Sequence, residues 1–127
     1  MPTLTINIQH KSSGANQTIA TIALAGTLDN STVALLEGQM APILAMNPAQ
    51  LVFDLAGLKF VTSAGIRLFF MGAKKQKIHQ GQTSFVNLQP QIKEVFAIMG
   101  SIPDMNIFTS QAELDSYLLN RQKSFLQ

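Results

Sequence analysis

Leu4, Ile6 and Ile8 alternate with Thr5, Asn7 and Gln9. This period of two is that of a strand with one buried face. Lys11 to Asn16, centred on Gly14, reads as a turn, and Thr18 to Ala25 is a second β-rich run. Together they predict a β-hairpin. Gly26-Thr27-Leu28-Asp29 closes the second strand, and Asn30, Ser31 and Thr32 are candidate caps for a helix. Val33, Leu36, Met40, Ile43 and Leu44 then recur at helical spacing, with Pro42 inside the pattern. An interior proline removes a backbone donor, so a kink or a division is expected there.

Leu51 to Leu55 is apolar at almost every position, as in a strand buried on both faces of a parallel sheet. Gly57 reads as the turn after it. Ser63 to His79 is helical, with Ile66, Phe69, Phe70 and Ala73 on one stripe and Gly81 as its C-terminal cap. Thr83 to Leu88 is another β run. A helix opens at Gln89-Pro90 and carries Ile92, Val95, Phe96 and Met99 inward. Met105 to Phe108 is a last short strand. Ser110 and Glu113 match a capping box for a final helix, with Leu114, Tyr117, Leu118 and Phe125 as its buried side. The order ββαβαβαβα predicts an α/β fold: a mixed, mostly parallel sheet of about five strands with about four helices and right-handed crossovers. Residues 1–127 are expected to form one domain.

Composition narrows the function. The chain is 46% hydrophobic and only 13% charged, which suits a packed core rather than a disordered chain. A net charge of +2, without aromatic residues among the lysines at 74, 75 and 77, argues against nucleic-acid binding. The absence of cysteine removes disulfides, thiolate metal sites and a cysteine nucleophile. No basic patch precedes an apolar run at the N-terminus and no stretch is apolar enough to span a membrane, so a cytoplasmic protein without membrane insertion is expected.

Catalytic patterns are missing. His10 and His79 stand far apart in sequence, no cluster has metal-ligand spacing, and no phosphate loop or dinucleotide fingerprint occurs. No metal and no cofactor are therefore expected. Thr62-Ser63-Ala64-Gly65 lacks the glycine that a nucleophile elbow places two residues before its serine. Asp29 and Asp54 both fall at expected strand ends and could converge, although separate roles as a cap and a turn residue are the better expectation.

Thr62-Ser63-Ala64-Gly65 sits where a strand gives way to a helix. By itself a hydroxyl there is best read as a helix cap. The same position suits a phosphate, because the first turn offers free N–H groups and the positive end of the dipole. Modification there would spare the fold and act on whatever docks nearby. Phe60, Val61, Leu68 and Met71 are candidates for that surface, and Gly65 would let another backbone approach closely. Core packing is the expected role of Phe69.

These segments resemble the STAS domain, and in particular the stand-alone anti-sigma-factor antagonists of bacterial partner-switching systems. "AGTLDNSTVALLE" resembles the family's second strand and first helix. "LVFDLAGLKFVTSAGIRLFF" resembles its third strand, phosphorylation loop and central helix. "FVNLQPQIKEVFAIMG" and "MNIFTSQAEL" resemble its later elements. The resemblance implies a non-enzymatic switch. The unmodified protein would bind an anti-sigma factor that is also a serine kinase, phosphorylation at Ser63 would end the binding, and a serine phosphatase would reset it. It puts the phosphosite at Ser63 with Asp29 near it, and with the reading of the residues above, Asp29, Phe60, Thr62, Ser63, Ala64, Gly65, Arg67 and Leu68 are expected at the partner surface. The usual Asp-Ser-Ser-Gly is here Thr-Ser-Ala-Gly, which removes a charge and makes Thr62 an alternative acceptor. Stressosome and lipid-transport relatives vary at this loop, so a constitutive interaction subunit of a transporter or stressosome-like assembly is the alternative reading.

Overall fold

The computed structural model describes residues 3–12, 18–99 and 105–108, together with single helical positions at 112, 113, 116 and 119. The elements are β1 (Leu4–Ser12), β2 (Thr18–Leu28), α1 (Val33–Ala45), β3 (Gln50–Val61), α2 (Ser63–Ile78), β4 (Gln82–Val86), α3 (Pro90–Met99) and β5 (Met105–Phe108). They form a five-stranded sheet in the order β1-β2-β3-β4-β5. β1 and β2 pair antiparallel, and every later pair is parallel. The mixed, mostly parallel α/β sheet expected from the sequence is therefore present. The turn residues after Ser12, the cap at Ser110 and the apolar side of the last helix lie outside the described residues.

Each parallel step moves one place in the same direction. Right-handed crossovers then put α1, α2 and α3 on one face of the sheet. One continuous core results. Ala20, Ile22 and Leu24 of β2 and Leu51, Phe53 and Leu55 of β3 meet Leu36, Met40 and Ile43 of α1, Ile66 and Phe69 of α2, and Ile92 and Phe96 of α3. The half-buried Leu4, Ile6 and Ile8 of β1 pack against its rim, as their alternation requires.

Three expectations are corrected in whole or in part. Pro42 does not divide α1, which runs unbroken past it to Ala45. The strand read as Leu51–Leu55 continues to Val61, because the segment around Gly57 is a pair of bulges rather than a turn. From Ala23 to Ala25 the β3 partners run from Asp54 to Gly57, and from Gly26 to Thr27 they run from Leu58 to Phe60. β3 thus spends one extra residue at each irregularity. Asp54 Oδ1 accepts the Ala56 N–H (3.1 Å) and so satisfies a donor within the first bulge. The third concerns the end of α2. Gln80 takes the left-handed conformation there (φ 67°), while Gly81 donates its N–H to Gln76 O (2.8 Å).

Candidate functional site

Thr62 and Ser63 lie where α2 begins. Thr62 donates its N–H to Leu28 O (3.0 Å), so the ends of β2 and β3 are tied together. Asp29 and Ser63 each stand one residue beyond that bond. The sequence candidates on the two strands are thereby brought to one end of the sheet.

Asp29 shapes the start of α1. Its Oδ1 accepts Ser31 Oγ (2.6 Å), Ser31 N (2.9 Å) and Thr32 N (3.2 Å). The Ser31 hydroxyl, followed by these backbone N–H groups, holds the carboxyl below its ordinary value. Thr32 Oγ1 in turn donates to Thr27 O (2.9 Å) and accepts the Asp29 N–H (2.9 Å). The sequence marks Ser31 and Thr32 only as candidate caps. The Asp-x-Ser-Thr spacing was the signal that they hold the aspartate instead. Asp54 does not join Asp29. Its Oδ1 accepts Asn87 Nδ2 (3.1 Å) as well as Ala56 N, and so links the β3 bulge to the β4–α3 turn. Gln89 of that turn donates to Ala56 O (2.8 Å), and Gln91 at the start of α3 donates to Lys59 O (3.1 Å).

The first turn of α2 sorts the remaining candidates by direction. Ser63 and Arg67 are exposed, Ala64 is half-buried, and Phe60 on β3 is 55% exposed. Gly65 and Leu68 turn inward, and so does Val61 at the end of β3. Leu68 and Val61 therefore belong to the core rather than to a docking surface. Gly65 is also a packing residue: an added Cβ would come within 2.8 Å of Leu28 Cγ and Val61 Cγ2. Met71 is half-buried and packs on the core.

Neither hydroxyl caps the helix. Thr62 occupies the cap position in an extended conformation, yet its side chain makes no capping hydrogen bond. Its Oγ1 is buried without a partner, whereas Ser63 faces solvent. An unsatisfied buried hydroxyl costs about 1–3 kcal/mol. Thr62→Val, which keeps the shape, is therefore expected to leave stability unchanged or raise it by about 1 kcal/mol. A true capping threonine would lose about 1 kcal/mol on truncation. Urea midpoints of the two proteins separate these outcomes by sign.

Among the described residues no group of His, Asp and Glu could hold a metal ion, and no helix is long and apolar enough to cross a membrane. What the site offers is an exposed serine at a helix start, beside an exposed aromatic ring and an arginine. These groups stand on a fold that brings two strand ends and a helix start together.

Comparison with known proteins defines the class. The family model described as "Mlab, STAS domain" matches residues 13–101. The chain belongs to the STAS domain family. It is 31% identical over 77 residues to the putative anti-sigma factor antagonist BtrV of Bordetella bronchiseptica, a match covering 61% of this chain and 66% of that one. It is 34% identical over 62 residues to the anti-sigma-F factor antagonist RsfB of Mycobacterium tuberculosis, covering 49% of each. The matches thus span two-thirds or less of these relatives' lengths. In structure it is similar to an anti-sigma factor antagonist from Mycobacterium paratuberculosis (TM-score 0.74, 18% identity, 89% of this chain and 93% of that one). It is also similar to the Bacillus cell fate determinant SpoIIAA, solved in a phosphorylated form (TM-score 0.62, 20% identity, 87% and 99%). The expected STAS fold is confirmed.

Proposed function

We propose that this chain acts as an anti-sigma factor antagonist in a partner switch and that Ser63 is its phosphoacceptor. The observation that carries this reading is the contrast between the two hydroxyls: Ser63 is exposed at the first position of α2, and the Thr62 oxygen is buried. A kinase reaches the first without opening the fold. Phe60, Ala64 and Arg67, with Asp29 across the strand ends, form the surface around it. The partner is an anti-sigma factor that is also a serine kinase, and a serine phosphatase restores the unmodified state. The protein acts by binding in the cytoplasm and not by catalysis.

A phosphate adds about −1.5 to −2 charges at neutral pH. Placed beside an apolar contact, it imposes repulsion and desolvation on the bound partner. Phosphopeptide mapping of protein from its native host is expected to find phosphate on Ser63 and none on Thr62. Ser63→Ala should retain binding to the anti-sigma kinase, and Ser63→Asp should weaken it about tenfold or more. Equal binding by all three forms, with no phosphate on Ser63 under any growth condition, would favour a constitutive interaction subunit.

A further inference from the structure

We propose that Arg67 is the internal counter-ion of a phosphate on Ser63, closing onto it across the first turn of α2. The inference rests on the reading of Ser63 as the phosphoacceptor and specifies how this chain holds the modified state.

Ser63 and Arg67 are four residues apart in one helix and both are exposed. Side chains at that spacing lie on the same face about 5–6 Å apart at Cβ. Helical side chains lean toward the N-terminus, so the long arginine reaches back over the turn that carries Ser63. The order also matters, because an anion four residues before a cation is the favourable arrangement. The guanidinium fork matches phosphate geometry and can donate two parallel hydrogen bonds.

Among the described residues Arg67 has no competing partner: no ion pair or hydrogen bond engages it. The residues three and four places away are Ser63, Ala64, Phe70 and Met71, of which only Ser63 is polar. No acidic residue occurs between Ser63 and Ile78, so nothing along α2 neutralises the arginine or repels a phosphate. Among the described residues the other charged groups on the strand ends and on the start of α3 are Asp29, whose Oδ1 is engaged by Ser31 and Thr32, Asp54, whose Oδ1 is engaged by Ala56 and Asn87, Lys59 on β3, and Lys93 and Glu94 on α3.

The pairing gives phosphorylation a second effect. It adds negative charge at Ser63 and also withdraws a cation from the exposed face of α2. A partner that met Arg67 with an acidic group would lose that contact when the arginine turns to the phosphate.

The test needs no kinase. Phosphoserine is installed at position 63 during translation, and the phosphate is titrated by its phosphorus NMR shift in the wild-type background, in Arg67→Gln and in Arg67→Lys. Asp29, Asp54, Lys59, Lys93 and Glu94 act alike in all three and cancel in the comparison. A counter-ion favours the dianion, so Arg67→Gln should raise the titration midpoint by about 0.3 pH unit or more, with Arg67→Lys between the two. Coincident midpoints in all three proteins would overturn the role of Arg67. That result would leave the Ser63 switch standing, whereas absence of phosphoserine in the native host would remove the switch and leave the titration unaffected. Because Arg67 is exposed, the variants are expected to fold, and circular dichroism checks this.

Discussion

Phe69→Ala is expected to lower the free energy of unfolding by about 3–5 kcal/mol, the cost of emptying a large buried site. Phe69 is fully buried and reaches from α2 to three other elements. Its ring centroid lies 4.9 Å from Phe53 of β3, 5.2 Å from Phe85 of β4 and 6.0 Å from Phe96 of α3. Phe53 and Phe85 stack on each other at 5.1 Å beneath it, and Phe96 meets Phe85 edge-on at 5.2 Å. Such pairs add to the gain from buried area, so truncation loses contacts on several sides at once. Domains of ordinary stability have about 5–15 kcal/mol in total, so the variant would be marginal. Phe70→Ala is the control. That ring is only half-buried, and its loss should cost clearly less. Urea unfolding of the three proteins measures the difference. A Phe69→Ala cost no larger than that of Phe70→Ala would show that this aromatic cluster does not anchor α2.

The assignment of Phe69 to the core was legible because helical spacing puts it in register with Ile66 and Ala73. The same logic found the strands, their order and the parallel sheet, since each apolar run was bounded by residues with a clear turn or cap chemistry. It failed where two effects compete at one residue. Gly57 signals a turn in sequence, but the strand continues because the Asp54 carboxylate satisfies a donor inside the bulge. Nor does close packing leave room for a side chain at Gly57, where an added Cβ would lie 2.8 Å from that of Ala25. Pro42 signals a break, yet it stands on the exposed side of α1, whose buried residues Leu36, Met40 and Ile43 keep the helix seated on the core.

At the candidate site, the serine and arginine could be read from the chain because an exposed helix face is made of residues that prefer water. The directions of Val61, Gly65 and Leu68 could not. They depend on how the first turn of α2 sits over the ends of β2 and β3, and that angle is set by contacts between segments far apart in sequence. The buried state of the Thr62 oxygen is equally invisible locally. A threonine before a helix carries the same sequence signal whether its hydroxyl caps the turn or is packed without a partner.

Gly65 offers the sharpest test of that geometry. Gly65→Val is expected to destabilise the protein by about 3 kcal/mol, at the upper end of the usual cost of overpacking. An ideal Cβ at this position would stand 2.8 Å from Leu28 Cγ, Leu28 Cδ2 and Val61 Cγ2. Both neighbours are buried at strand ends that Thr62 N–H ties together, so neither has free space to enter. The added methyl groups must lift the first turn of α2 away from the sheet. Gly65→Ala should also destabilise, although alanine is the better helix former by about 1 kcal/mol. Gly38, in α1, supplies the opposite sign. Nothing lies within 4 Å of a Cβ built there, so Gly38→Ala should gain up to about 1 kcal/mol. If Gly65 instead served to admit a partner's backbone, both Gly65 variants would remain stable and lose only binding. Denaturation midpoints that rise at Gly38→Ala and fall at Gly65→Ala would place Gly65 in the core. The position of Ser63 would then depend on that contact, because the turn that presents the serine is the turn that the glycine allows to close on the sheet.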